Sequence, residues 1–150
     1  MEKTLEDLLQ PHRKTIDRID KQLLELLNQR AKTAQAIGEL KGNTAVYCPE
    51  REATILSRIK KNNPGPLSDT SIMRLFREII SECLALEKPL QVAYLGPEGT
   101  FSHEALRMHF GQATHSRPTV SIEDAFQLCE QRSVDSVSYT HLRAHETRGN

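Results

Sequence analysis

One apolar stripe limits what this chain can become. From Leu5 onward, Leu5, Leu9, His12, Ile16, Ile19, Leu23, Leu26, Arg30, Thr33, Ile37 and Leu40 follow in steps of four and three. That spacing lays a heptad-like seam along one side of a helix. Pro11 is tolerated only in a first turn, so the continuous helix is expected to begin there, with a looser or kinked turn before it. It is expected to stop at Gly42-Asn43, a pair that helix C-termini favour. Even from Pro11, such a helix rises for about 31 residues, or roughly 46 Å. A compact domain of about 90 residues has a radius of gyration of only about 12 Å. So long a helix cannot fold back into a monomeric globule, and an intertwined homodimer is expected.

Two shorter helices follow. Pro49 occupies the favoured first helical position, with Glu50 and Glu52 in the positive first turn and Ile55, Leu56 and Ile59 on one face. Asn62-Asn63-Pro64-Gly65-Pro66 breaks that helix. Ser68 caps a third, whose apolar face is Ile72, Leu75, Phe76, Ile79, Ile80, Cys83 and Leu84, and which closes at Lys88-Pro89. Beyond it the texture changes to short strand, glycine-rich turn and helix, the usual opening of an α/β domain. Leu90 to Leu95 reads as a strand and Gly96-Pro97-Glu98-Gly99 as a tight turn. A helix capped by Ser102 then runs to about Phe110, and Ser121 caps another over Ile122 to Glu130. The expected fold is therefore an all-α, three-helix N-terminal domain over residues 1–88, followed by a truncated α/β start over 89–135.

Composition excludes several classes of function. Lys plus Arg and Asp plus Glu are both 20, giving a net charge of zero. The basic excess of a nucleic-acid binder is absent, and the apolar runs are too short to span a bilayer. The N-terminus lacks a signal-peptide layout, so a cytoplasmic protein is expected. Cys48, Cys83 and Cys129 show no metal spacing and read as free thiols. No metal or other cofactor is expected.

The informative residues are charges on or beside the apolar faces. Arg30 interrupts the long seam, where an unpaired buried guanidinium is costly. An intersubunit ion pair or a snorkelling side chain would account for it, and so would an anion pocket. Lys41 favours the pocket, because eleven residues leave it about 20° from Arg30 on the wheel and about 16 Å along the axis. That separation brackets a ligand of about a dozen heavy atoms. Arg13 points about 100° away from Arg30, so it reaches such a pocket only across an antiparallel dimer. Arg51 opens the second helix, whose dipole also favours an anion. Glu52 beside it could accept a hydroxyl hydrogen bond or be a solvated first-turn carboxylate. Glu87 continues the ridge of Ile80, Cys83 and Leu84 and so faces inward. No nucleophile–base pair is present. The set suits a site that binds a dianion and rearranges it by restraint and electrostatics.

These runs resemble a known family. Arg13-Lys14-Thr15-Ile16-Asp17-Arg18-Ile19-Asp20, Leu23-Leu24-Glu25-Leu26-Leu27-Asn28-Gln29-Arg30, Ile37-Gly38-Glu39-Leu40-Lys41 and Tyr47-Cys48-Pro49-Glu50-Arg51-Glu52 are similar to the all-helical chorismate mutases. Val92 to Ser102 resembles the opening of prephenate dehydratase. In this order the two sets resemble the bifunctional mutase–dehydratase family of bacterial phenylalanine biosynthesis, in the shikimate route to aromatic amino acids. The resemblance implies conversion of chorismate to prephenate by a Claisen rearrangement without a cofactor. It implies that Arg13 comes from the partner chain to a substrate carboxylate and that Arg30 binds a carboxylate within its own chain. Lys41 would donate to the breaking ether oxygen, and Glu87, protonated, would face the same oxygen. Arg51 would support the carboxylate end and Glu52 would take the ring hydroxyl. Cys48 and Cys83 stand at substrate-contact positions where some relatives have an acidic residue and a serine. The parent protein would also dehydrate and decarboxylate prephenate to phenylpyruvate, a step for which this chain is incomplete.

Two alternatives share the helical pattern: an isochorismate pyruvate lyase-like enzyme, and a non-catalytic helical dimerisation module whose inward charges are ion pairs. Mutase activity is expected to belong to the front three helices alone. From Ser136 to Asn150 the chain resembles a translated sequencing adapter, so a foreign tail is expected, with the broken α/β segment exposing strand edges.

Overall fold

The computed structural model describes residues 3–42 and 48–139. Its first helix, α1, spans Leu5–Lys41 and is longer than expected from the proline. Thr4 and Asp7 explain the early start. The Thr4 side chain accepts a hydrogen bond from the Asp7 N–H at 3.2 Å, while the Asp7 carboxylate accepts from the Thr4 N–H at 3.0 Å. This reciprocal cap satisfies two donors that a helix N-terminus leaves open, so the turn before Pro11 holds and the helix passes through the proline. The Thr4 hydroxyl also donates to the Asp7 carboxylate at 2.7 Å, and that bond first, with the one from the Thr4 N–H, holds the Asp7 carboxyl below its ordinary range. At 37 residues, α1 rises roughly 55 Å. Gly42, with φ of 58°, closes it where expected.

Helices α2 (Pro49–Asn62) and α3 (Asp69–Ala85) pack against each other, and α3 also packs against α1. The Ser68 hydroxyl caps α3 at the Ser71 N–H. Leu56, Ile80 and Cys83 form the small buried core of this part. No residue of α1 is buried. Its apolar seam stands in solvent: Ile16 is 56% exposed, Leu23 51% and Leu26 60%.

After α3 the chain forms β1 (Gln91–Leu95), α4 (Phe101–Phe110), β2 (His115–Thr119), α5 (Ile122–Glu130) and β3 (Ser136–Ser138). The strands are all parallel in the order β2-β1-β3. The central strand is fully covered, with Val92, Ala93 and Tyr94 at 0% exposure. Leu106 of α4 packs on one side of it, and Ala125 of α5 with Val134 on the other. The Gly96–Gly99 turn is pinned by its neighbours. The Gly96 N–H donates to the Thr119 carbonyl at 2.9 Å, and the Gly99 N–H donates to Nδ1 of the buried His103 at 3.1 Å. Thr100, rather than Ser102, takes the N-cap position of α4.

Two strands depart from the sequence reading. β2 has no apolar alternation and contains Pro118, which a sheet tolerates only at an edge. β3 lies at the head of the segment expected to be foreign, yet it extends the sheet, with Ser136 opposite Val92 and Ser138 opposite Tyr94. Among the described residues, each edge strand has one side without a strand partner. The rest of the expected tail, residues 140–150, lies outside the described residues. Among the described residues no helix is long and apolar enough to cross a membrane.

Candidate active site

A cavity of about 400 Å³ lies where the last three turns of α1, the start of α2 and the end of α3 converge. That volume is within the range of roughly 300–1,000 Å³ usual for small-molecule pockets. α1 contributes Arg30, Thr33, Ala34, Ile37 and Lys41 to its lining. Cys48, Arg51, Glu52 and Ile55 come from the head of α2, and Ile80, Cys83, Leu84 and Glu87 from α3 and the turn after it. The one-sided placement of Arg30 and Lys41 inferred from the helix wheel thus puts both on one cavity wall. Pro49 starts α2 so that Arg51 and Glu52 fall in its first turn, where the exposed N–H groups add a positive potential.

Three cations, Arg30, Lys41 and Arg51, and two carboxylates, Glu52 and Glu87, share this lining with aliphatic side chains. Arg30 is half-buried, whereas Lys41 and Arg51 stay exposed in the single chain. Glu52 is half-buried, and its carboxyl is pushed above the ordinary glutamate range by the loss of solvent. The positive charges of His109 and Arg77 oppose that rise. Cys48 and Cys83 both face the cavity as free thiols.

Gly38 reveals a packing requirement that reading for charges alone overlooked. A Cβ at that position would occupy the same space as the Glu87 side chain. A glycine inside an otherwise regular helix usually has a packing reason, and that was the available signal. Here it lets α1 approach the end of α3 closely enough for Glu87 to lie against the helix backbone.

Arg13 is placed apart from the others. It forms an ion pair with Glu6 on the exposed surface of α1, its side chain 55% exposed, and does not line the cavity. The single chain therefore brings together seven of the eight residues singled out in the sequence: Arg30, Lys41, Cys48, Arg51, Glu52, Cys83 and Glu87. Arg13 remains outside, as its position on the wheel requires. Arg77 and His109 were not singled out, because one lies on α3 away from its apolar ridge and the other belongs to the second segment.

Chemically, the pocket can clamp a small anion between guanidinium and ammonium groups. It also offers two carboxyl groups, Glu52 and Glu87. The family model for chorismate mutase type II matches residues 12–88, and that for prephenate dehydratase matches residues 92–138. A bifunctional chorismate mutase/prephenate dehydratase of Neisseria gonorrhoeae is 55% identical over 135 residues, covering 90% of this chain and 37% of that protein. The protein of the same name from Pseudomonas aeruginosa is 47% identical over 129 residues, covering 81% and 35%. The chain thus spans about a third of the length of these relatives. Among solved structures, chorismate mutase (form II) of Thermus thermophilus superposes with a TM-score of 0.52 at 38% identity, over 53% of this chain and 93% of that one. On the residues of its helical part and the pocket they build, the chain belongs to the chorismate mutase type II family, continued by the first stretch of a prephenate dehydratase sequence.

Proposed function

We propose that residues 1–88 convert chorismate to prephenate by an intramolecular rearrangement, and that no cofactor takes part. One observation carries this reading: a single cavity of suitable size collects Arg30, Lys41, Arg51, Glu52 and Glu87 from three helical elements. Arg30 holds one substrate carboxylate and Arg51 supports the carboxylate end. Lys41 donates to the ether oxygen, where negative charge grows as the C–O bond breaks. Glu52 accepts from the ring hydroxyl, and Cys48 and Cys83 shape the walls. Arg13 completes the site from the partner of an intertwined homodimer. The test is loss of chorismate absorbance with the full chain. Turnover that disappears in Lys41→Ala supports the reading, and a folded, dimeric, inactive wild type would leave an interaction module instead. Release of pyruvate from isochorismate would favour the lyase.

The two carboxyls impose opposite demands on pH. Glu52 accepts a hydroxyl hydrogen bond best as a carboxylate, and burial makes it take up a proton at higher pH than an ordinary glutamate. Activity should therefore fall on the acid side earlier than for an exposed glutamate. Glu87 faces the oxygen that gains negative charge, so it must carry a proton in order to donate. Glu87→Gln supplies an amide donor at every pH. Glu87→Gln is therefore expected to keep or gain activity at neutral pH, while the acid-side fall set by Glu52 stays. A variant far less active than the wild type at neutral pH would remove Glu87 from the ether oxygen.

Gly38→Ala separates positioning from stability. The methyl group adds about 0.5–1 kcal/mol of helix propensity but displaces the Glu87 side chain. Thermal unfolding is expected to stay close to wild type while kcat falls about 10-fold or more, because small misplacements at a reacting centre are costly.

We assign residues 89–139 to the start of a dehydratase domain, supported by the match over 92–138 and the three-stranded sheet. The foreign tail then begins after β3 rather than at Ser136. The longer parent would act on prephenate to give phenylpyruvate in the cytoplasm.

A further inference from the structure

Glu52 has two sides. One faces the cavity; the other lines a small void with Ser81, Leu84 and Leu90, and with Phe110, Ala113 and Thr114 from the second segment. The end of α4 is fastened to α3 at this point. The Gly111 backbone, with φ of 84°, lies so close to Ser81 that any Cβ would collide with the Ser81 side chain. The Gln112 N–H donates to Glu78 Oε2 at 3.1 Å. His109 meets Phe110 edge-on, with ring centroids 4.7 Å apart. Among the described residues, Arg77 on α3, whose charge acts on Glu52, keeps a buried Nε without a hydrogen-bond partner.

We propose that Phe110, Ala113 and Thr114 back the mutase pocket from behind Glu52, and that His109 is a positioning residue that keeps Glu52 available to the substrate hydroxyl. This rests on the mutase reading of the cavity. It departs from the expectation that the front helices act alone, because the α/β segment supplies both the apolar cover behind Glu52 and one of its cations. The charges that act on Glu52 are those of His109 from α4 and Arg77 from α3, while Arg30 and Lys41 from α1, Arg51 from its own helix and Glu87 line the cavity with it. Covering a carboxylate favours its neutral form, and an imidazolium nearby favours the charged form.

The experiment uses the full 150-residue chain and chorismate as probe, with kcat and KM followed from about pH 5 to 8. His109→Gln is expected to move the acid limb to higher pH, with kcat/KM about threefold lower near its midpoint, the modest size expected of a solvent-exposed charge. The change should lie in KM, since a ground-state contact is weakened. His109→Lys keeps the charge and is expected to restore the wild-type limb, which loss of packing alone would not explain. Gly111→Val, which forces α4 away from Ser81, is expected to raise KM across the range. Superimposable profiles for wild type, His109→Gln and Gly111→Val would overturn the proposal. Inactivity of Lys41→Ala in the same assay shows that the mutase reading survives such a result. A wild-type chain that leaves chorismate untouched overturns both.

Discussion

Lys41→Ala and Arg30→Ala are each expected to lower kcat/KM for chorismate by about 10²–10³-fold or more, about 2.7–4 kcal/mol, as removal of a preorganised donor does elsewhere. Neither change should unfold the protein. Lys41 is exposed in the single chain and Arg30 only half-buried, so truncating either leaves no large apolar hole. The two losses should nevertheless differ in kind. An ammonium aimed at the ether oxygen gains most where the bond is breaking, so Lys41→Ala should lower kcat and kcat/KM together. A guanidinium holding a carboxylate acts on the bound substrate as well, so Arg30→Ala should also raise KM. Circular dichroism and sedimentation of both variants are expected to match wild type. Were the inward charges only ion pairs of a dimerisation module, the same substitutions would weaken the dimer and leave no activity to lose.

The second large effect concerns assembly. Leu23→Asp is expected to convert a dimer into a poorly soluble or monomeric chain and to abolish mutase activity, although residue 23 lies about two turns of α1 before the first cavity residue, Arg30. Ile16, Ile19, Leu23, Leu24, Leu26 and Leu27 are each at least 40% exposed in the single chain, and α1 buries none of its 37 residues. Covering five such side chains would contribute on the order of 10 kcal/mol before the costs of association. A carboxylate in the middle of that surface would have to lose its water without a partner. Size-exclusion with light scattering reads the assembly. A Leu23→Asp monomer with full activity would show that each chain builds a complete site.

The helical part was legible because its signals are local. Steps of three and four define the faces, Pro49 and Ser68 mark starts, and Gly42 marks an end. Arg30 and Lys41 could be placed together because a helix wheel is geometry that the sequence carries. The early start of α1 was missed because Thr4 and Asp7 form a cap with aspartate in place of the usual glutamate, and the proline read as the stronger signal. β2 was missed because His115, Ser116, Arg117, Pro118 and Thr119 form a strand only by lying beside buried β1. The rear wall behind Glu52 is a tertiary contact across dozens of residues, and no local pattern announces it. Gly38 was visible as an oddity in a helix, but only the structure shows Glu87 in the space its missing side chain leaves.

The proposed site is shared between two chains, with Arg30 from one and Arg13 from the other. Mixing separately purified Arg13→Ala and Arg30→Ala chains after mild dissociation tests it directly. In a symmetric dimer each interface residue is used reciprocally, so a mixed dimer has one site lacking both arginines and one site intact. Random pairing then restores about one quarter of wild-type activity from two nearly inactive parents. Loss of chorismate at that level is the expected result. A mixture no more active than the mean of its parents would contradict the shared site.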